Sequence, residues 1–461
     1  MATGLATYAV RVLECTSPAL DWIVAYPEGG DPSSLPGGVE AVSLRGLNPS
    51  RLPDIRFFAL GNSPHCFDVL SLLRAVGGAA VMHETVLHHM IRHCSLQRDM
   101  WEDYLDALVF EYGPAAKSVR RRLSRKASEE EYDRLLKEYP LVGRAVHASA
   151  MLLCLNCSAA EELRTMAGGR PVLRIGHPLS PVGEVEAQDP GGGPVVGMAG
   201  SFHSGRNLDL VVGAVRRLRQ KRPNAVLVLA GGGYPEGLPD WVICTGRLPE
   251  PSYQGWIRAF DVAVDARHPS CGETSGSLLE VMRAGVPCVV SDSGGFRCIP
   301  SGCVRRLPAA GMAHTLPGAL EDLLERPEAA RKTGEAGREW AESEGSRRRC
   351  LSDWERAVSL YPPSKRRLPP RPSLAAAWHA PPEGAQRVTD GQVVAWVVPD
   401  GMVLEGPEWA EAAWVSGSGP GTAEGVQLPD AHGVTRVPGR RLLFRGGARI
   451  TAVTWLGGGS G

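Results

Sequence analysis

The chain has 461 residues, 43% apolar and 22% charged, with 50 Lys+Arg balancing 50 Asp+Glu. That length holds two or three domains, the composition is that of a globular protein, and the even charge balance supplies no global basic field for nucleic acid or an acidic membrane. No apolar run reaches the ~18–20 residues of a membrane helix, and the N-terminus lacks the basic start and apolar core of a secretory signal, so a cytoplasmic location is expected. The 11 cysteines, an odd number scattered along the chain, point to reduced thiols rather than a disulfide framework.

The N-terminus begins at once with Gly4-Leu5-Ala6-Thr7-Tyr8 and a helix-like run to residue 14. No strand precedes it, although a glycine turn in an α/β domain normally follows one. Residues 22–26 and 56–60 read as strands, the second ending in Gly61-Asn62-Ser63-Pro64-His65. Residues 67–76 are amphipathic and helical, and 79–82 form a short strand closed by His83-Glu84. This alternation is the rhythm of a parallel sheet. Residues 84–140 are polar and helical, with a basic run at 117–126 that fits a solvated face; it could also meet an anionic acceptor or lipid headgroups. Cys154 and Cys157 have redox or zinc spacing, but they sit in an apolar run with no second Cys/His pair nearby, which favours a buried strand over 148–156. Ser158 to Glu161 looks like a capping box opening the next helix, and a strand at 172–178 follows.

Residues 183–194 are acidic and then glycine-rich, as in a hinge. A second strand–helix rhythm starts at Val195: strands at 195–199, 225–230, 241–244 and 261–265, helices at 208–221 and 256–260, and mainly helix over 313–360. A basic, proline-rich connector begins near Pro362. Beyond it, short alternating runs at 393–398, 402–404, 412–415, 434–437, 441–444 and 449–455 read as a small β appendage. Its Trp378, Trp396, Trp409, Trp414 and Trp455 fit a β core, with sugar stacking as the alternative. The expected division is therefore 1–180, 181–361, a linker at 362–376 and an appendage at 377–461. Two such α/β halves bind ligands at the carboxyl ends of their strands and face one another across a cleft.

The most informative stretch is RHPSCGETSGSLLEVMRAGVPCVVSDSGG, from Arg267 to Gly295. Gly272-Glu273-Thr274-Ser275-Gly276 feeds a helical pattern, which Gly285 and Pro287 stop before the strand at 288–290. A glycine-rich loop entering a helix leaves several N–H groups unpaired, and the helix dipole adds positive charge there, which suits a phosphate. An ordinary capped helix explains the same pattern. Arg206, after the glycine turn at Gly200, could hold phosphate oxygens bidentately. Glu280, seven residues after Glu273, would point to the same side of a helix, where one carboxylate could accept ribose hydroxyls; a solvated helical glutamate is its alternative. No convincing pair of metal-binding carboxylates is evident.

GETSGSLLEVMRAGVPCVVSD resembles the donor-binding domain of GT-B-fold glycosyltransferases of the retaining family-4 type, the glycosyl transferases group 1, in a branch carrying GETSG. GSFHSGRNLDLVVGAV resembles the family's glycine turn and phosphate-binding lysine, with Arg206 in the lysine's place. GLATY is similar to its N-terminal glycine loop, GNSPHCF and MHETVLHH to its acceptor-side motifs, and VLRIGHP to the strand before the interdomain crossover. The resemblance spans residue 4 to about 360.

It implies an α/β GT-B architecture of two Rossmann-like domains, with the β appendage outside the family core. It implies sugar transfer with retention from a nucleotide diphosphate sugar, without metal or other cofactor, to an unknown acceptor: a glycan, lipid-linked sugar, natural product or protein. Nucleic acid is not an expected partner, and the basic run at 117–126 leaves a peripheral membrane contact as an option. By position, Arg206 would balance the diphosphate, Thr274, Ser275 and Gly276 would donate to the distal phosphate, and Glu280 would bind the ribose. Gly246 and Arg247 would border the base, and Arg267 and Glu273 would lie near the donor sugar or its phosphate. His83 and Glu273 are the implied catalytic pair, and Gly4, Asn62 and Glu84 the implied acceptor-side residues. The chain departs from the family at three places. Gly272 holds the position of the first glutamate of the signature, Ser201 stands where relatives carry arginine, and no strand precedes GLATY. Of these departures, the absent strand and the altered glutamate spacing keep a non-catalytic nucleotide-sugar-binding protein as an alternative; a sugar-nucleotide epimerase is a third, against which stands the absence of its paired carboxylates on the first half.

Overall fold

The structure is a computed structural model that describes residues 4–26, 30–44, 52–98, 100–124, 128–180, 183 and 185–362, and beyond these the strands within 386–457. In chain order, helix α1 (Gly4–Thr16) precedes strands β1 (Ile23–Tyr26) and β2 (Glu40–Ser43), which pair in parallel. Then come β3 (Phe57–Leu60), α2 (Cys66–Val76), β4 (Gly78–Met82), α3 (His88–Gln97), α4 (Trp101–Tyr112), α5 (Ala116–Leu123), α6 (Glu129–Glu138) and α7 (Gly143–Ala148). β5 (Ser149–Cys154), α8 (Cys157–Met166) and β6 (Val172–Arg174) complete a sheet ordered β3-β4-β5-β6.

The second sheet is built from β7 (Val195–Ala199), α9 (Leu208–Leu218), β8 (Val226–Ala230), β9 (Val242–Gly246), α10 (Glu250–Arg258), β10 (Val262–Asp265), α11 (Gly276–Arg283), β11 (Cys288–Ser291) and β12 (Arg305–Leu307). Helices α12 (Met312–Glu325), α13 (Pro327–Glu344) and α14 (Arg347–Ser359) follow. All pairings in this sheet are parallel, in the order β12-β11-β10-β7-β8-β9. Chain order therefore reverses between β7 and β10, the switch point at which doubly wound sheets bind ligands.

The strand period of two explains why both faces of this sheet are covered. Val228, Ala230, Ala263, Cys288 and Val290 pack on one face with Leu278, Leu279 and Met282 of α11. Their neighbours Leu227, Leu229, Val262, Val264 and Val289 pack on the other with α9 and α12. Buried on both sides, such strands read as continuous apolar runs.

Clustering of contacts divides the chain into two units. One comprises Met1–Leu47, Cys154–Ala160 and Leu173–Ser359; the other comprises Asn48–Leu153, Glu161–Val172 and Leu360–Gly461. In the first unit α1 packs on α14, with Trp22 edge-on to Trp354 at 5.4 Å. The helix expected to begin at a Ser158 capping box is instead capped by Asn156, whose Oδ1 accepts from Ala159 N–H at 2.8 Å. The cysteines are not all reduced: Cys157 and Cys298 form a disulfide with their Cα atoms 5.8 Å apart. Cys157 is thereby withdrawn from a metal pair with Cys154, and spacing could not reveal this because the partner lies 141 residues away.

The C-terminal region contains β13 (Gln386–Asp390), β14 (Val393–Val397), β15 (Val403–Glu405), β16 (Ala410–Ser418), β17 (Thr422–Ala423), β18 (Val426–Gln427), β19 (Gly433–Pro438), β20 (Arg441–Arg445) and β21 (Arg449–Gly457). They form an antiparallel sheet ordered β13-β14-β21-β16-β19 and a second ordered β15-β20-β17-β18. The proline-rich linker and the environments of the appendage tryptophans lie outside the described residues. Among the described residues no helix is long and apolar enough to cross a membrane.

In the second unit Glu111 of α4 accepts N–H bonds from Val142 at 3.2 Å and Gly143 at 2.7 Å, at the start of α7. Burial nevertheless pushes its carboxyl up to about 7. The folded form then holds its proton more tightly than the unfolded chain. The stability this contributes is present below the unfolded value of 4.5 and is lost as pH rises through about 7. Glu111→Gln is expected to flatten the pH dependence of stability between pH 5 and 8 by on the order of 2 kcal/mol in urea titrations, and an unchanged slope would refute the assignment.

Candidate active site

β7 and β10, the strands flanking the switch point, deliver the polar residues. After β7 the chain turns at Gly200, φ 104°. A Cβ there would lie 2.8 Å from Ser277 Oγ and 3.0 Å from Arg206 Nη1, so the turn requires glycine sterically as well as conformationally. The turn also packs backbone to backbone on β8's end, where a Cβ at Gly231 would lie 2.2 Å from the Gly200 carbonyl oxygen. Arg206, on a short 3₁₀ turn before α9, is 1% exposed. Its Nη2 donates to the Ala199 carbonyl at 2.6 Å and pairs with Asp265 Oδ1 at 3.5 Å, and its Nη1 donates to the Ser201 carbonyl at 3.3 Å.

Asp265, the last residue of β10, is the centre of this cluster. It accepts from Arg267 Nε at 3.0 Å and from Ser275 Oγ at 2.6 Å. Burial alone would raise its carboxyl, but the Arg267 and Arg206 guanidinium groups hold it below the usual carboxylate range. Arg267 Nη2 reaches Ser275 Oγ at 2.9 Å and its Nη1 pairs with Glu273 Oε1 at 3.5 Å. Glu273 Oε2 also accepts from Ser270 Oγ and the Cys271 N–H, at 2.9 and 2.6 Å. Burial works to raise the Glu273 carboxyl, and Arg267 more than offsets it, so the group is held low. Arg206, Asp265, Arg267 and Glu273 thus alternate in charge, and a buried cluster of this kind stays ionised because each member has partners.

Ser275 caps α11 by accepting the Leu278 N–H at 3.2 Å. The first helical amides, those of Gly276 and Ser277, have no acceptor within a helix, and the dipole concentrates partial positive charge there. At Gly276 a Cβ would meet His177 Nε2 at 2.8 Å, and the His177 ring is itself held edge-on by Tyr8 at 5.2 Å.

The structure thus brings together Ser201, Arg206, Arg267, Glu273, Thr274, Ser275 and Gly276. Gly272, at φ 81°, turns the loop ahead of them. Gly246, at φ 68°, and the exposed Arg247 lie at the carboxyl end of β9. Helical spacing does not relate the two glutamates, because Glu273 precedes α11 and sits in the loop. Glu280 is 2% exposed and belongs to a separate network. It pairs with Arg11 Nη1 at 2.9 Å and with Arg283, and accepts from Gln254 at 3.3 Å. It is therefore a buried ion-pair hub rather than a solvated helical residue. Gly4 opens α1. In the second unit Asn62 N–H donates to Glu84 Oε2 at 2.6 Å, Asn62 Nδ2 to the Val86 carbonyl at 2.6 Å, and His83 N–H to the Leu60 carbonyl at 2.9 Å. Asn62, His83 and Glu84 therefore share the carboxyl ends of β3 and β4.

Three participants escaped sequence inspection: Asp265, Asn156 and Arg11. Asp265 carried a signal, a carboxylate ending an apolar strand two residues before an arginine. Asn156 and Arg11 carried none, since their partners are far along the chain. Among the described residues no three His, Cys, Asp or Glu side chains group as a metal site would require.

Residues 193–326 match the family described as glycosyl transferases group 1. No curated protein matches the chain. The solved structure of sucrose-phosphate synthase from Thermosynechococcus elongatus is similar, with a TM-score of 0.54 at 14% identity, over 78% of this chain and 93% of that one. WaaG, a glycosyltransferase involved in lipopolysaccharide biosynthesis, gives a TM-score of 0.49 at 14% identity, over 78% of this chain and 96% of that one. HepE of Anabaena, in complex with UDP-glucose, gives 0.45 at 14% identity, over 66% and 78%. The first likeness shows the fold, an α/β chain of GT-B type with parallel sheets. The matched domain supports a glycosyltransferase.

Close approach at Gly276 makes a direct test of the loop's packing. Gly276→Ala is expected to destabilise the protein by about 1–3 kcal/mol, because the added methyl is forced against the His177 ring. A urea midpoint equal to that of the wild type would show that the ring moves aside.

Proposed function

We propose, from the glycosyl transferases group 1 domain at 193–326 as premise, that the chain transfers a glycosyl group from a nucleoside diphosphate sugar to an acceptor hydroxyl, with retention and without a metal. The observation that carries this is the Asp265-centred pair of guanidinium groups at the start of α11, on the switch point of the β7–β12 sheet. A diphosphate there would meet the amides of Gly276 and Ser277, the Thr274 hydroxyl, and Arg267, whose Nη1 link to Glu273 is long enough at 3.5 Å for a phosphate oxygen to compete. In the reaction the bond between the sugar's anomeric carbon and the diphosphate oxygen breaks. The acceptor oxygen takes the carbon, and its proton passes to the leaving diphosphate. Negative charge grows on the leaving diphosphate, and preorganised donors and cations stabilise that growth most. Arg206 acts from behind, through Asp265 and the Gly200 turn. By the family resemblance, Glu273 serves the sugar, Gly246 and Arg247 the base, and Gly4, Asn62, His83 and Glu84 take acceptor-side roles. Glu280 serves the ribose once Arg11 yields part of its carboxylate.

That last condition favours a second reading, a non-catalytic nucleotide-sugar-binding protein, since Glu280 already has two cationic partners. The readings separate on turnover: binding of a donor with no transfer or hydrolysis for any acceptor supports the second.

Calorimetry with UDP, GDP, ADP and their sugar conjugates tests the site itself, and no binding by any of them overturns both readings. Arg267→Gln is expected to weaken the bound nucleotide by roughly 1.5–3 kcal/mol, the usual cost of losing a hydrogen bond to a charged group. Equal affinity in a variant that remains folded would remove Arg267 from the site.

A further inference from the structure

The donor loop is held by a residue that lies more than 100 positions earlier. Asn156 is 5% exposed and uses each end of its amide. Oδ1 caps α8, while Nδ2 donates to the Gly272 carbonyl at 2.9 Å and to Thr274 Oγ1 at 3.0 Å. One side chain therefore grips the loop on both sides of Glu273. A threonine hydroxyl has one donor hydrogen and two acceptor positions. By donating to Thr274 Oγ1, Asn156 leaves that hydroxyl's own hydrogen for another acceptor, as a phosphate-binding loop needs.

Asn156 is itself backed on a second side. At Gly295 a Cβ would lie 2.9 Å from Asn156 Nδ2 and 2.8 Å from the Glu273 carbonyl oxygen, so the 294–298 turn lies directly against both. That turn ends at Cys298, which is bonded to Cys157, the residue after Asn156, and Cys298 Sγ also accepts from Ser158 N–H at 3.1 Å. The disulfide closes a ring of covalent and hydrogen bonds around the loop. Beside the bond, Phe296 and Ile299 at this turn pack in the core with Leu278 and Leu279 of α11, and they share with Asn156 and Thr274 the lining of a cavity of about 30 Å³. Both cysteines are half-buried.

We propose that Asn156 is the positioning residue of the donor-phosphate loop and that the Cys157–Cys298 disulfide keeps it in place, so that reduction by a dithiol loosens the loop and lowers donor affinity. The step is a two-electron exchange. A dithiol gives up two protons and two electrons and becomes a disulfide, and the Cys157–Cys298 bond becomes two thiols. The affinity arm rests on the nucleoside diphosphate site proposed above; the loop arm does not.

The test uses the full chain, oxidised and after dithiothreitol, with C157S/C298S and Asn156→Asp. The aspartate keeps an acceptor for the α8 cap but cannot donate to Gly272 or Thr274, which separates positioning from capping. Hydrogen exchange of peptides covering 272–278 is expected to speed up at least threefold on reduction, and equally in both variants without reductant, while peptides of the β7–β12 strands stay protected. Kd for UDP, GDP or ADP, whichever the oxidised wild type binds, is expected to rise about tenfold, with donor KM rising more than acceptor KM. Unchanged exchange in a protein whose disulfide is open by mass spectrometry overturns the redox step, as does the absence of the bond after purification under air. Unchanged exchange in Asn156→Asp overturns the positioning role. If none of the three nucleotides binds the wild type, the proposed function fails, and the exchange data still decide this inference.

Discussion

The buried carboxylate of Asp265 is the interaction on which the rest of the site depends. An isolated carboxylate at 2% exposure would be too costly to keep ionised. Two guanidinium groups and the Ser275 hydroxyl keep it charged. The dependence runs both ways. Arg206 and Arg267 are fixed because Asp265 stands between them, and Ser275 can cap α11 because its own hydrogen is spent on that carboxylate. One residue at a strand end thus sets the orientation of the glycine turn, the arginine pair and the helix start. Its placement follows from topology, because β7 and β10 are the neighbours between which chain order reverses.

A second charged network surrounds Glu280, and the two differ in what they order. The Asp265 cluster organises a loop and a helix start. Glu280 ties α11 to Arg11 of α1 and, through Gln254, to α10. Breaking a buried pair by removing one partner leaves an uncompensated charge, so both networks constrain the fold as well as any ligand. The Cys157–Cys298 bond links two further segments, the start of α8 and the 294–298 turn, beside the loop that the Asp265 cluster organises.

Much of the architecture was legible because local rules sufficed. The strands from Val195 to Ser291 are short apolar runs, and each became a parallel strand, buried except for the edge strand β9. The Gly272–Gly276 loop followed by a helical pattern became the capped start of α11. The alternating runs after residue 385 became antiparallel strands. Boundaries moved by one to a few residues where caps or turns intervened, as at α8, where Asn156 replaces Ser158 as the cap. The helix expected at 256–260 begins earlier, at Glu250. Pro249 and Pro251 flank that residue, and proline suits a first turn, where its missing N–H would have no helical acceptor.

What the sequence by itself determined was most of the strands and helices and the α/β class, since a period of two or 3.6 and the placement of glycine are local properties; short strands such as β2 and β12 did not stand out. It also identified the loop, the two arginines and both glutamates as the polar residues of interest. Only the tertiary structure decided their partners. Asp265 stands 59 residues from Arg206, Glu280 stands 269 from Arg11, and Cys298 stands 141 from Cys157. Pairings of that range are set by which strand ends and helix faces come together, and no periodicity along the chain encodes them. The same geometry made Glu280, a candidate ribose ligand from sequence, a buried ion-pair hub, because a carboxylate's role depends on the cations that the fold places beside it.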